Sequence, residues 1–109
     1  MILPTQLNFV HDLLRRNVRE GDCVLDGTAG NGHDTLLLAQ LVGDAGCVYA
    51  FDIQTDALAA TYARLQQHQI VQRVQLIHAG HEHLAEYVST PLAAAVFNFG
   101  YLPRGNKNI

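Results

Sequence analysis

Leu7, Val10, Leu13, Leu14 and Val18 recur three or four positions apart, so residues 5–19 are predicted to form a helix with one apolar stripe. Thr5 is placed to cap it and Glu20-Gly21-Asp22 to end it. The pattern then shortens. Cys23-Val24-Leu25-Asp26 reads as a buried strand, and residues 31–42 as a helix with a nearly continuous Leu/Ala face, closed by Gly43-Asp44-Ala45-Gly46. The alternation repeats with a strand over 47–51, a helix over 55–67 capped by Thr55, and a strand over 74–78. A loop and short helix over 80–88 lead to a fully apolar strand over 93–99, which runs into Gly100-Tyr101-Leu102-Pro103.

Strands alternating with helices of this length predict βαβ units, hence an α/β fold with a parallel, doubly wound sheet. Right-handed crossovers then bring the loops after all four strands to one sheet edge, where open α/β sheets bind ligands. The chain reaches Arg104-Gly105-Asn106-Lys107-Asn108-Ile109 soon after the fourth strand. A doubly wound sheet normally continues beyond its first strand on the other side. Residues 1–109 are therefore expected to be the N-terminal part of a longer domain.

At 109 residues there is length for one domain, and no apolar run is long enough to cross a bilayer. The start, Met-Ile-Leu-Pro-Thr-Gln, lacks a signal peptide's basic region and cleavage site, which predicts a cytoplasmic location. In that compartment Cys23 and Cys47 are expected as buried thiols rather than a disulfide. The net charge of -3 gives no global footprint for nucleic acid. Arg15, Arg16 and Arg19 read as a solvated helix face near its C-terminal end, with a phosphate-contacting patch as the alternative.

The chemistry concentrates in Asp26-Gly27-Thr28-Ala29-Gly30-Asn31-Gly32-His33-Asp34-Thr35, with Asp52 20 positions after Gly32. A strand, a glycine-rich turn, a helix start and a second strand ending on an acid is how such sheets hold a nucleoside-bearing cofactor. A P-loop would need Lys-Ser/Thr where His33-Asp34 stands, and a dinucleotide loop would need its third glycine where Thr35 stands. Asp26 and Asp34 would also repel a pyrophosphate. S-adenosylmethionine fits better, because its amino-acid end carries an ammonium beside a sulfonium. Gly30 and Gly32 let the backbone approach it, Asp26 could meet the ammonium, and Asp52 could accept both ribose hydroxyls. The alternative for Asp26 is a turn or capping residue, and Asp34 could serve the helix dipole as well as a ligand. His33 is either an exposed loop residue or a contact to the ligand carboxylate.

Two further groups stand near the same edge. Asn98 and Tyr101, in Asn98-Phe99-Gly100-Tyr101-Leu102-Pro103, are placed to orient an amine nucleophile and wall the pocket; the alternative is a packed turn. His78, His81, Glu82 and His83 match no standard zinc spacing, so no metal site is predicted. Gly80-His81 instead lies where an adenine ring would rest, and a histidine there could assist in removing a proton from an amine.

The glycine motif, Phe51-Asp52-Ile53-Gln54 and Phe97-Asn98-Phe99-Gly100-Tyr101-Leu102-Pro103 together resemble a bacterial family labelled putative rRNA methylase. The resemblance covers nearly the whole chain, and Asn-x-Gly-Tyr-Leu-Pro is its most specific part. It implies a Rossmann-like class I methyltransferase that uses S-adenosylmethionine to methylate the aminomethyl group of a tRNA wobble uridine such as 5-aminomethyl-2-thiouridine. It implies that Asp26, Gly30, Gly32, His33 and Asp34 line the methionine end, with Asn31 of the same loop among the cofactor-binding residues. Asp52 and Gln54 would flank ribose and adenine, and residues 98–103 would face the substrate amine. The family usually continues Gly-Gly-Asp-Lys after the proline, where this chain has Arg104-Gly105-Asn106-Lys107.

Three functions therefore compete: methylation of a tRNA amine; methylation of rRNA, protein or a small molecule; and a non-catalytic nucleotide-binding module. The exposed edge of such a half-sheet invites pairing with a second copy, so a homodimer is also an expectation.

Overall fold

Val24 and Leu25 are both fully buried although they are neighbours, which requires a sheet covered on both faces. The computed structural model describes the backbone of residues 4–97 and 100–103 and the side chains of 9–97. Strand β1 (Cys23–Asp26) lies at the centre, between β2 (Cys47–Asp52) and β4 (Ala94–Phe97). Strand β3 (Val74–His78) lies outside β2, and β5 (Gly100–Pro103) outside β4, giving the order β3-β2-β1-β4-β5. The first four strands are parallel: Cys23 pairs with Cys47, Val24 with Ala94, and Asp52 with His78.

Side chains alternate between the two faces. Val24, Val48, Ala94 and Val96 pack beneath helices α1 (Pro4–Asn17), α2 (His33–Val42) and α3 (Thr55–Gln67), in a core with Leu14, Leu38 and Leu65. Leu25, Phe51, Ile77, Ala95 and Phe97 form the core of the other face, beside the short helix α4 (Leu84–Tyr87). There Phe51 is fully buried and meets Tyr87 edge to face at 5.8 Å. Truncating a side chain so enclosed would cost about 3–5 kcal/mol.

Several details depart from the pattern. Helix α1 begins at Pro4, whose fixed φ suits a first turn, so Thr5 lies inside the helix and is not its cap. Helix α2 begins at His33 and not at residue 31, because Gly32 is left-handed and keeps the preceding backbone in the loop. Gln54, in extended conformation, is the N-cap of α3, which makes Thr55 its first residue. The strand expected over 93–99 is ordered as β4 over Ala94–Phe97, and residues 98 and 99 fall outside the described residues. Strand β5 lies where the sequence carries turn signals; it runs antiparallel to β4, pairing Val96 with Tyr101. Cys23 and Cys47 are free and only half-buried, and their sulfurs are 2.7 Å apart.

Candidate functional site

Strand β1 delivers Asp26 to the carboxyl edge of the sheet, where the chain turns through the glycine loop into α2. The loop is pinned to both neighbouring strands, by Gly27 N–H to the Val96 carbonyl (2.7 Å) and Ala29 N–H to the Phe51 carbonyl (2.8 Å). Gly30 N–H then donates to Asp52 Oδ2 at 3.0 Å, joining the glycine turn to the acid that ends β2. Gln54 N–H donates to the other oxygen, Oδ1, at 2.9 Å. Each oxygen of the half-buried Asp52 thus has one backbone donor and retains acceptor capacity.

The two loop glycines meet different demands. Gly30 has φ +55°, and a Cβ there would meet nothing nearer than the Thr28 carbonyl at 3.9 Å. Its conformation favours glycine, and the space beside it is open. Gly32 has φ +86°, and a Cβ there would lie 2.9 Å from Thr61 Cα, so the loop lies directly on α3. From that helix the buried Thr61 hydroxyl donates to the Gly30 carbonyl at 3.1 Å, and Arg64 Nε to the Asn31 carbonyl at 2.8 Å. Two carbonyls of a tight turn thereby find partners outside the turn.

Asp26 is fully enclosed. Thr35 Oγ1 donates to its Oδ2 at 2.6 Å and Thr28 N–H to its Oδ1 at 3.1 Å. Burial, aided by the carboxylates of Asp34 and Asp52, pushes its carboxyl up to about 7 against the opposing effect of the two hydrogen bonds. Asp34, in the first turn of α2, takes a 2.7 Å hydrogen bond from His11 Nε2 of α1. The carboxylates of Asp34 and Asp52 near one edge give it a bias toward cationic ligands.

Asn31, His33 and Gln54 are exposed on this edge. His81 lies beyond β3, its ring edge-on to Phe97 at 4.8 Å. The structure therefore gathers Asp26, Gly30 to Asp34, Asp52 and Gln54 around the ends of β1 and β2, with His81 beyond the next strand. Asn98 falls outside the described residues, and of Tyr101 only the backbone, in β5, is described. Among the described residues no group of three His, Cys, Asp or Glu could hold a metal, and no helix is long and apolar enough to cross a membrane.

His11, Thr35, Thr61 and Arg64 were not singled out from sequence. Thr61 left one trace there: it stands four residues before Leu65 on the same buried stripe of α3, a polar residue at a core position. His11 left none, because its partner is 23 positions away on another helix.

Residues 48–109 match the model of a family described as "Putative rRNA methylase". The chain is 38% identical to the Arabidopsis thaliana protein named tRNA (mnm(5)s(2)U34)-methyltransferase, chloroplastic, across 91% of this chain and 40% of that one. The crystal structure of a protein described as a putative rRNA-methylase, from Clostridium thermocellum, superposes with a TM-score of 0.80 at 44% identity, over 82% of this chain and 50% of that one. A Streptococcus mutans protein described as a putative methyltransferase, solved in complex with SAH, superposes with a TM-score of 0.76 at 40% identity, over 100% of this chain and 58% of that one. The chain thus spans about half the length of these relatives.

Proposed function

The chain belongs to the rRNA methylase family, with the Rossmann-like fold of class I methyltransferases, and from that premise we propose that the whole protein is an S-adenosylmethionine-dependent methyltransferase acting on tRNA. The observation that carries the cofactor reading is the hydrogen bond from Gly30 N–H to Asp52 Oδ2. It sets an open, side-chain-free turn against a carboxylate with spare acceptor capacity, the pair of surfaces a nucleoside with a cationic tail requires. The bound cofactor supplies a methyl group on a sulfonium.

The remaining chemistry belongs to the chain. Asp52 accepts from the ribose hydroxyls, with Gln54 beside it and His81 toward the adenine. Asp34 and His33 face the amino-acid end with Gly30, Asn31 and Gly32. Asp26 shapes this end from beneath, with both oxygens already engaged. Asn98, with Tyr101 beside it, orients a neutral amine for direct displacement and forms no covalent intermediate. Water excluded from that edge would leave the amine as the nucleophile in reach.

The substrate we infer is the aminomethyl group of a modified wobble uridine, a reading supported by the 38% identity to the Arabidopsis tRNA methyltransferase. The family label favours rRNA as the second reading. Calorimetric titration with S-adenosylmethionine, with NAD as the control, comes first, and micromolar binding of the former alone is expected. Binding of NAD instead overturns the cofactor assignment. Transfer of labelled methyl to tRNA bearing 5-aminomethyl-uridine, and not to rRNA, is then expected from the whole protein. Asn98→Ala should bind cofactor normally and lose turnover; undiminished turnover removes Asn98 from its role.

A further inference from the structure

At the end of the sheet opposite the glycine loop, Cys23 opens β1 and Cys47 opens β2, directly across from one another. Neighbouring parallel strands stand about 4.8 Å apart, within the span a disulfide bridges between Cα atoms, and side chains at paired positions share one face. The two sulfurs are 2.7 Å apart, with the Cys47 thiol donating to Cys23 Sγ. Both ends are fixed by backbone bonds, Cys47 N–H to the Asp22 carbonyl (3.0 Å) and Ala93 N–H to the Cys23 carbonyl (2.8 Å). Both residues are half-buried, so a small oxidant can reach them. Nothing in the proposed methyl transfer uses either thiol.

We propose that Cys23 and Cys47 form a reversible dithiol–disulfide site, closed by hydrogen peroxide or a related small peroxide. The Cys23 thiol releases its proton and attacks one peroxide oxygen as the thiolate, and the displaced hydroxide takes up that proton, giving a sulfenic acid and one water. The Cys47 sulfur then attacks the Cys23 sulfur; its proton leaves with the departing hydroxide as a second water. Two thiols are oxidised and one peroxide is reduced. Burial and the bond to Cys23 push the Cys47 thiol up to about 11, which disfavours it as the first nucleophile. Closure ties residues 23–47, the stretch holding the entire glycine loop and α2, into one covalent ring.

The sequence contains only these two cysteines, so mass alone assigns the product. After peroxide, the folded chain should lose two hydrogens in mass, titrate with no free thiol, stay monomeric on a non-reducing gel, and melt at a higher temperature until dithiothreitol restores the starting state. Oxygen adducts on a single sulfur, disulfide-linked dimers, or two unreacted thiols in the folded chain would each overturn the proposal. In Cys47→Ser, peroxide should leave a dimedone-reactive sulfenic acid on Cys23, whereas in Cys23→Ser the Cys47 thiol should persist. The reverse pattern would overturn the order of attack.

Discussion

The Thr35 hydroxyl donates a 2.6 Å hydrogen bond to the carboxylate of Asp26, nine residues earlier, and both side chains are fully buried. This bond ties the first turn of α2 to the end of β1 and sets the shape of the loop between them. Removing the hydroxyl with near-isosteric Thr35→Val leaves Asp26 Oδ2 without this donor. A loss of about 1–3 kcal/mol is expected in urea unfolding at neutral pH. A change within error would show that the loop is held by its strand contacts alone.

Asp26 also makes stability pH-dependent. Its carboxyl titrates at 3.8 in an unfolded chain and at about 7 in the fold. Between those values the fold keeps a proton that the unfolded chain has released. Stability is therefore greatest at the acid end of this window and declines as pH rises through it, by at most about 1.4 kcal/mol per pH unit from this group. In Asp26→Asn the decline should flatten. Equal slopes for the two proteins between pH 4.5 and 7.5 (test conditions spanning roughly that window) would show that burial is not holding the proton.

Gly32→Ala should be among the most damaging single-methyl changes in the loop. It combines the φ of +86° with a Cβ 2.9 Å from Thr61 Cα. About 1–3 kcal/mol of stability should be lost, together with S-adenosylmethionine binding measured by calorimetry. Gly30→Ala shares the left-handed backbone but meets open space. It should therefore be the milder change for stability, and the opposite order would count against the close approach of the loop to α3.

Thr61 and Arg64 hold successive carbonyls of the loop from α3. Thr61→Val should cost about 1 kcal/mol and weaken cofactor binding several-fold, since the part-buried hydrogen bond to the Gly30 carbonyl is lost. Arg64→Ala removes a more exposed contact and should do less. If Arg64→Ala proved the more harmful to affinity, the turn would depend on its outer carbonyl instead.

His11 and Asp34 join α1 to α2 through side chains that are 18% and 23% exposed, too enclosed for an ordinary surface pair. A double-mutant cycle with His11→Ala and Asp34→Ala should give a coupling of about 1 kcal/mol in thermal unfolding. Additive losses would mean that the two residues act separately.

The parallel sheet and the glycine turn at its carboxyl edge were legible because they rest on local signals. Alternating apolar runs placed β1 to β4, and Gly30, Gly32 and Asp52 marked the turn and the acid. Relations across the chain were not legible. No spacing rule pairs His11 with Asp34 or Cys23 with Cys47, since a whole intervening element, β1 in one case and α2 in the other, separates each pair by more than 20 positions. Helix starts moved for a backbone reason. Threonine at 5 or 55 is a good cap by type, but Pro4 and the extended Gln54 set where each helix begins. The short β5 was not legible either, because its residues, Gly-Tyr-Leu-Pro, carry turn signals that outweigh strand signals.

The grip of α3 on the glycine loop sets a condition for moving this loop elsewhere. A graft of residues 26–35 onto another parallel sheet would carry the motif and leave its scaffold behind. The carbonyls of Gly30 and Asn31 would face solvent, and Gly32 would have no helix to lie against. A host would keep the loop in shape only if it also offered a threonine and an arginine one helical turn apart, as Thr61 and Arg64 are here. The transplantable unit is the loop with one face of α3.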